Sequence, residues 1–276
     1  MQTKYSAFTG AGTRFFRRLK RVGSWTQPCL IAAVMPLSGG FATGQDLHSD
    51  SLTELVGNPR SVEPDHITFE LRGWTIHLHN QFLDDESGVT RRALELLSGQ
   101  LQRVVEVVPP EALRPLRTVP LWINPEYEGK RGGAAYHPNI DWLRNNGRNP
   151  KMAKAVEITN VKNFPFENRR MPFLLLHELA HAYHDQVVKG GFGNAELKTA
   201  YERARDSGSY DSVARFDGNK TVTDKAYGMN DAKEYFAESS EAFFGKNDFY
   251  PFNREELKEH DPHMHNLVKK LWGVAN

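Results

Sequence analysis

Met171-Pro172-Phe173-Leu174-Leu175-Leu176-His177-Glu178-Leu179-Ala180-His181 is the stretch that decides how this chain folds. Its apolar residues supply a buried flank, Pro172 suits a first helical turn, and Ala180 and Ala182 are small and helix-favouring. On a helix, His177 and His181 stand at i and i+4, one above the other on one face. Both imidazoles can then bind one metal ion, and Glu178 can reach a water on it. That is the minimal set for zinc-assisted hydrolysis. The bland alternative is a core helix with two hydrogen-bonded histidines. Burying two imidazoles and a carboxylate without a partner is costly, which favours the metal.

A catalytic zinc takes three protein ligands and keeps one position for water. The third donor is expected in Glu234-Tyr235-Phe236-Ala237-Glu238-Ser239-Ser240-Glu241-Ala242-Phe243-Phe244. Glu234, Glu238 and Glu241 fall at i, i+4 and i+7 and so line one face of a second helix. The aromatics lie mostly on other faces and would anchor it. A second carboxylate, one turn beyond the ligand, can accept the spare N–H of a metal-bound histidine. An acidic, solvated stripe is the competing reading.

With these residues in view, HELAH followed by Tyr227-Gly228-Met229-Asn230-Asp231-Ala232-Lys233-Glu234-Tyr235-Phe236-Ala237-Glu238 resembles the catalytic domain of anthrax lethal factor and its relatives, which are gluzincin metallopeptidases. That group carries HExxH, then a Tyr-Gly segment, then Glu-Phe-Phe-Ala-Glu. The seven-residue step from its Tyr to its Glu is kept between Tyr227 and Glu234. The resemblance covers roughly residues 171–245. It implies an α+β, zincin-like domain: a small mixed sheet, the HExxH helix and a second ligand-bearing helix. It also implies a Zn2+ cofactor and a peptide or protein substrate. Carried over by position, His177, His181 and Glu234 would be the zinc ligands and Glu178 the general base. Tyr227 would point its phenol at the oxyanion, and Glu238 would support the ligands from behind. Glu238 as the direct ligand is the rival assignment.

The chain departs from the group at Asn230-Asp231 and at Ala182-Tyr183-His184-Asp185 after the motif. The segment Asn247-Asp248-Phe249-Tyr250-Pro251-Phe252 resembles secreted bacterial and fungal proteins of the same lethal-factor-like group. The longer metzincin pattern HExxHxxGxxH is absent, because residue 184 is His and residue 187 is Val. His184 is expected on the helix surface. Asp185 could orient a ligand histidine or imitate the aspartate ligand of other zincins.

The net charge of +1 hides an uneven distribution. Residues 1–44 hold Lys4, Arg14, Arg17, Arg18, Lys20 and Arg21 and no acid, so the remainder has 29 basic against 34 acidic residues, a net −5. That balance offers no footprint for nucleic acid. The basic cluster Arg17-Arg18-Leu19-Lys20-Arg21 precedes the apolar run Cys29–Leu37 and then Ser38-Gly39-Gly40 and Ala42-Thr43-Gly44. Basic, apolar and small residues in that order read as an export signal over residues 1–44, cleaved after Gly44. The apolar run is too short to span a bilayer comfortably, so no stable membrane insertion is expected after processing. Cys29 is the only cysteine, which argues against a disulfide-stapled domain. A monomer acting in the periplasm or outside the cell is expected.

Residues 45–65 are polar and carry Pro59 and Pro64, and read as a linker to a single catalytic domain over residues 66–276. Ile67, Phe69 and Leu71, then Trp74, Ile76 and Leu78, alternate around Arg72-Gly73 and predict a β-hairpin. Ala93, Leu94, Leu97, Leu101, Val104 and Val105 predict an amphipathic helix over 89–107, ended by Pro109-Pro110. A short strand is expected at Val119–Ile123. Residues 126–150 read as a long loop with one turn of helix near Trp142; such loops are often functional. Val156–Thr159 reads as a strand; by analogy with zincins Ala155–Asn160 is the candidate edge for pairing with a substrate backbone, and an ordinary internal strand is the equal alternative. Helices are expected at 194–206 and after His260-Asp261-Pro262, with an irregular segment or hairpin around Asp217-Gly218-Asn219. The function that fits is a secreted, zinc-dependent metallopeptidase. Its alternative is an exported zincin-fold binding protein without catalytic activity.

Overall fold

A computed structural model describes residues 55–84, 88–130, 132–159 and 161–275. The expected leader over 1–44, its cleavage point and residues 45–54 of the linker lie outside the described residues. The rest of the expected linker belongs to the fold. Val56 is buried in the core, and Arg60–Glu63 forms strand β1 against β2.

The hairpin is built from β2, His66–Leu71, and β3, Trp74–His79. Arg72 and Gly73 join them with φ of 54° and 87°. Positive φ at both turn residues is what a two-residue hairpin of right-handed twist requires. The sheet continues with β4 (Leu121–Ile123), β5 (Ala134–Tyr136) and β6 (Val156–Ile158), in the order β1-β2-β3-β4-β6-β5. The β3–β4 and β4–β6 pairs are parallel; β5 returns antiparallel to β6.

This order decides for the internal strand over the edge. Val156–Ile158 lies between two strands, so Ala155–Asn160 is interior up to Thr159, and Asn160 lies outside the described residues. The sheet edge on this side is β5, inside the stretch expected as a loop; β1 is the other edge. The same stretch holds helix α3, Ile140–Asn145, capped by the Asn139 side chain.

One sheet face packs on helices. Ile76, Leu78, Leu121, Ile123, Val156 and Ile158 are all nearly or fully buried there, and burial of each such side chain stabilises the fold by about 1.5–3 kcal/mol. Helix α1, Val89–Val107, buries Ala93, Leu94, Leu97, Leu101 and Val104 as its spacing predicts. Pro109 and Pro110 end it and start α2, Pro110–Leu116, whose Leu116 carbonyl accepts from the buried Trp74 indole at 2.9 Å.

The second half is helical: α4 (Phe164–Arg170), α5 (Leu174–Gln186), α6 (Ala195–Ser207), α7 (Ala232–Phe244), α8 (Arg254–His260) and α9 (Pro262–Leu271). A small hairpin, β7 (Val213–Phe216) with β8 (Thr221–Asp224), interrupts them around Gly218. Pro172 stands before α5 rather than in its first turn, because Phe173 is the capping residue. Asp261 caps α9, accepting from Met264 N at 3.0 Å. Every residue of α5 from Leu174 to His184 is buried, since α1, α2, β5 and α7 all pack on it. The whole is an α+β fold. Among the described residues no helix is long and apolar enough to cross a membrane.

Candidate metal centre

Helix α5 presents His177 and His181, and α7 presents Glu234 from its first turn. The Asp231 side chain fixes that turn by accepting from Lys233 N at 2.8 Å and Glu234 N at 3.1 Å, the arrangement of a helix N-cap. Three donor atoms then converge. His177 Nε2 is 3.2 Å from His181 Nε2 and 3.1 Å from Glu234 Oε2, and His181 Nε2 is 3.3 Å from the same oxygen. Ligand atoms bound at zinc's usual distances with tetrahedral angles stand about 3.3 Å apart. The residues present therefore fit a small tetrahedral cation.

The hydrogen bonding supports the fit. His177 Nδ1 lies 2.7 Å from Glu241 Oε1, and both side chains are buried. With Nδ1–H donating to that carboxylate, Nε2 carries a lone pair aimed at a Glu234 oxygen, and two acceptors at this distance repel without a cation between them. Burial alone would raise the Glu234 carboxyl; with no cation between them, protonated His181 and His177 outweigh it through their charges and hydrogen bonds and hold it well below the ordinary range. A carboxylate kept ionised is the form that ligates.

The carboxylate oxygen 2.7 Å from His177 Nδ1 belongs to Glu241. A step of seven residues returns to within about 20° of the same helix face, whereas a step of four is off by about 40°. Glu241 thus follows Glu234 along the line facing α5. Glu238 is buried too, and accepts from Asn247 Nδ2 at 2.9 Å. It also forms a second compact donor group with His177 and Glu241.

Glu178 points to the sheet edge. Its Oε2 accepts from the Tyr136 backbone N–H at 2.9 Å. The strand geometry explains why that amide is available. His137 N donates to Ala155 O and Thr159 N to Gly133 O, so residues 133, 135 and 137 turn their backbone toward β6. The backbone groups of Ala134 and Tyr136 face the open edge. The Tyr136 side chain is clamped as well: its hydroxyl donates to Asp185 Oδ2 at 2.7 Å and accepts from Gln186 Nε2 at 3.0 Å. Tyr136 escapes sequence reading because its partners lie 42 and 49 residues away.

Tyr227 opens a short 3-10 turn, Tyr227–Met229, and its ring centroid lies 6.5 Å from that of His177. Gly228 permits this approach: a Cβ there would sit 3.2 Å from Tyr235 Cα and 3.6 Å from Glu238 Cβ.

One expectation fails. His184 is not on the surface; it is fully buried, its ring 5.0 Å from that of Phe192 and 5.2 Å from that of Phe236. The turn at Gly191–Gly193 and helix α7 cover that side of α5. The Asp185 carboxylate accepts from the Tyr136 hydroxyl and from Lys154 (Nζ at 2.6 Å).

Comparison of the chain with family models, with curated proteins and with solved structures found no match. The likeness to the lethal-factor group stands on the motif residues alone.

Proposed function

We propose that this chain is a zinc-dependent metallopeptidase with a zincin-like fold, acting after export as a monomer on peptide or protein substrates. One observation carries the reading: His177 Nε2, His181 Nε2 and Glu234 Oε2 form a triangle of 3.1–3.3 Å sides, and Glu178 follows His177 on the same helix. The order of basic, apolar and small residues over 17–44 supports export.

Zinc bound by these three residues supplies a Lewis acid that acidifies water and polarises a carbonyl. Glu178 takes a proton from the attacking water and returns it to the leaving nitrogen. Tyr227 donates its phenolic hydrogen where negative charge develops on the carbonyl oxygen, a contribution of about 3 kcal/mol. Glu241 fixes the ring of His177 so that Nε2 is the ligating atom. The open backbone of Ala134 on β5 offers an N–H and a C=O to an extended substrate.

The test is metal content together with cleavage of a peptide library by the protein and by its Glu178→Gln variant. One zinc per chain with cleavage by the unaltered protein alone is expected. Absence of metal, or equal cleavage by both, would overturn the reading.

A further inference from the structure

Behind β5, on the sheet face away from α5, sits a carboxylate the mechanism above does not use. Glu157 is the middle residue of β6 and is only 2% exposed. A lone carboxylate so placed would be costly to bury, yet four side chains donate to it. Asn124 Nδ2 at 2.7 Å and Tyr127 OH at 2.6 Å meet Oε1. His137 Nε2 at 2.8 Å and Arg148 Nη1 meet Oε2. Burial would raise this carboxyl, but the His137, Tyr127 and Asn124 hydrogen bonds bring it down to about 2.

The donors are distributed in a telling way. Asn124 and Tyr127 precede β5, His137 and Arg148 follow it, and Glu157 itself is the register partner of Ala135 at its centre. Strand β5 has three residues and pairs with one neighbour only, too little to hold an edge in place unaided. The segments flanking it are long, and Glu157 gathers both. The Arg148 guanidinium also lies over the Tyr127 ring at 4.0 Å, and His137 stacks on Trp142 with centroids 5.6 Å apart. A small apolar cluster of Trp122, Leu143, Met152 and Ala155 backs the same face. On the opposite face, Tyr136 ties β5 to Glu178 and Asp185.

We propose that Glu157 is a positioning residue: it fixes edge strand β5, and through the Tyr136 N–H it fixes Glu178. The catalytic consequence rests on the metallopeptidase reading; the fixing of β5 does not. An apolar residue at 157 could fill the space, but it would give no reason for two distant segments to meet at one geometry. Four directed hydrogen bonds on one charge do.

The test compares the full chain with Glu157→Gln, and with Tyr127→Phe as a milder variant that removes one of the four donors. Amide hydrogen exchange is read across the molecule, and zinc content, acetohydroxamate binding and peptide kinetics are measured beside it. In Glu157→Gln, amides over 133–137 are expected to exchange about tenfold faster or more, with those of α5 and of the β2–β3 hairpin unchanged. Tyr127→Phe should move the same amides less. Zinc and acetohydroxamate should bind as before, because the ligands are untouched. For an extended peptide KM should rise about tenfold, the signature of a lost pairing edge. Exchange that quickens equally in α5 and the hairpin, or stays unchanged over 133–137, would overturn the proposal. If Glu157→Gln does not fold, Tyr127→Phe decides by the same comparison. Failure of the unaltered protein to cleave any peptide would overturn the metallopeptidase reading instead, and the exchange data would still decide the role of Glu157.

Discussion

His177 Nδ1 and Glu241 Oε1 lie 2.7 Å apart and join α5 to α7 behind the ligand atoms. The bond sets the tautomer and aims Nε2 at Glu234. Glu241→Gln keeps the shape but removes the charge, and such partners are commonly worth 10–100-fold in metal affinity. Chelator competition should show a loss of about that size. Unchanged affinity would mean that Glu241 only packs.

Glu178→Gln leaves all three ligands in place and removes the proton acceptor. Turnover should fall by roughly 10²–10⁴-fold while zinc content stays at the unaltered level. Tyr227→Phe should lower kcat by about 10²–10³-fold, also without metal loss. Metal analysis beside steady-state kinetics separates the two classes: a variant that loses both zinc and activity in parallel would place its residue among the ligands.

Much of this arrangement is legible in the sequence, for reasons of periodicity. The β2–β3 hairpin and α1 stand out because many residues repeat one pattern. The i, i+4, i+7 spacing of Glu234, Glu238 and Glu241 exposes the acidic face of α7, though not which member meets His177. That depends on how α7 lies against α5. Strand β5 is hidden because Ala134-Ala135-Tyr136 is too short to show alternation and sits among glycines. Glu157 reads as one polar residue of an alternating strand, and nothing local announces donors that begin 33 residues earlier at Asn124. His184 looks solvated because its cover comes from Phe192 and Phe236, a separate turn and a separate helix.

Glu157 makes stability depend on acid. Its carboxyl is lowered from 4.5 to about 2 on folding, so the folded state holds fewer protons than the unfolded between those values. The contribution is present above pH 4.5 and is lost as pH falls toward 2; the shift corresponds to about 3 kcal/mol. Urea unfolding of the protein and of Glu157→Gln should differ by an amount that is constant near neutrality and shrinks below pH 4.5. A difference independent of pH would show that packing, not charge, is what the variant loses.

His184 acts in a higher window. Burial, and then the charge of His181, push its imidazole from 6.5 to about 4, against the opposing pull of Asp185 and Asp231. The folded state therefore keeps His184 neutral where the unfolded chain protonates it. Stability is full above pH 6.5 and declines as pH falls toward 4, by about 3 kcal/mol in total. His184→Phe places a ring of similar size between Phe192 and Phe236 and has no proton to bind. With metal removed by chelator, so that ligand titration is common to both proteins, the variant should lose less stability between pH 6.5 and 4. Parallel curves across that window would mean that His184 is protonated in the folded protein, and that its aromatic pocket admits the charge.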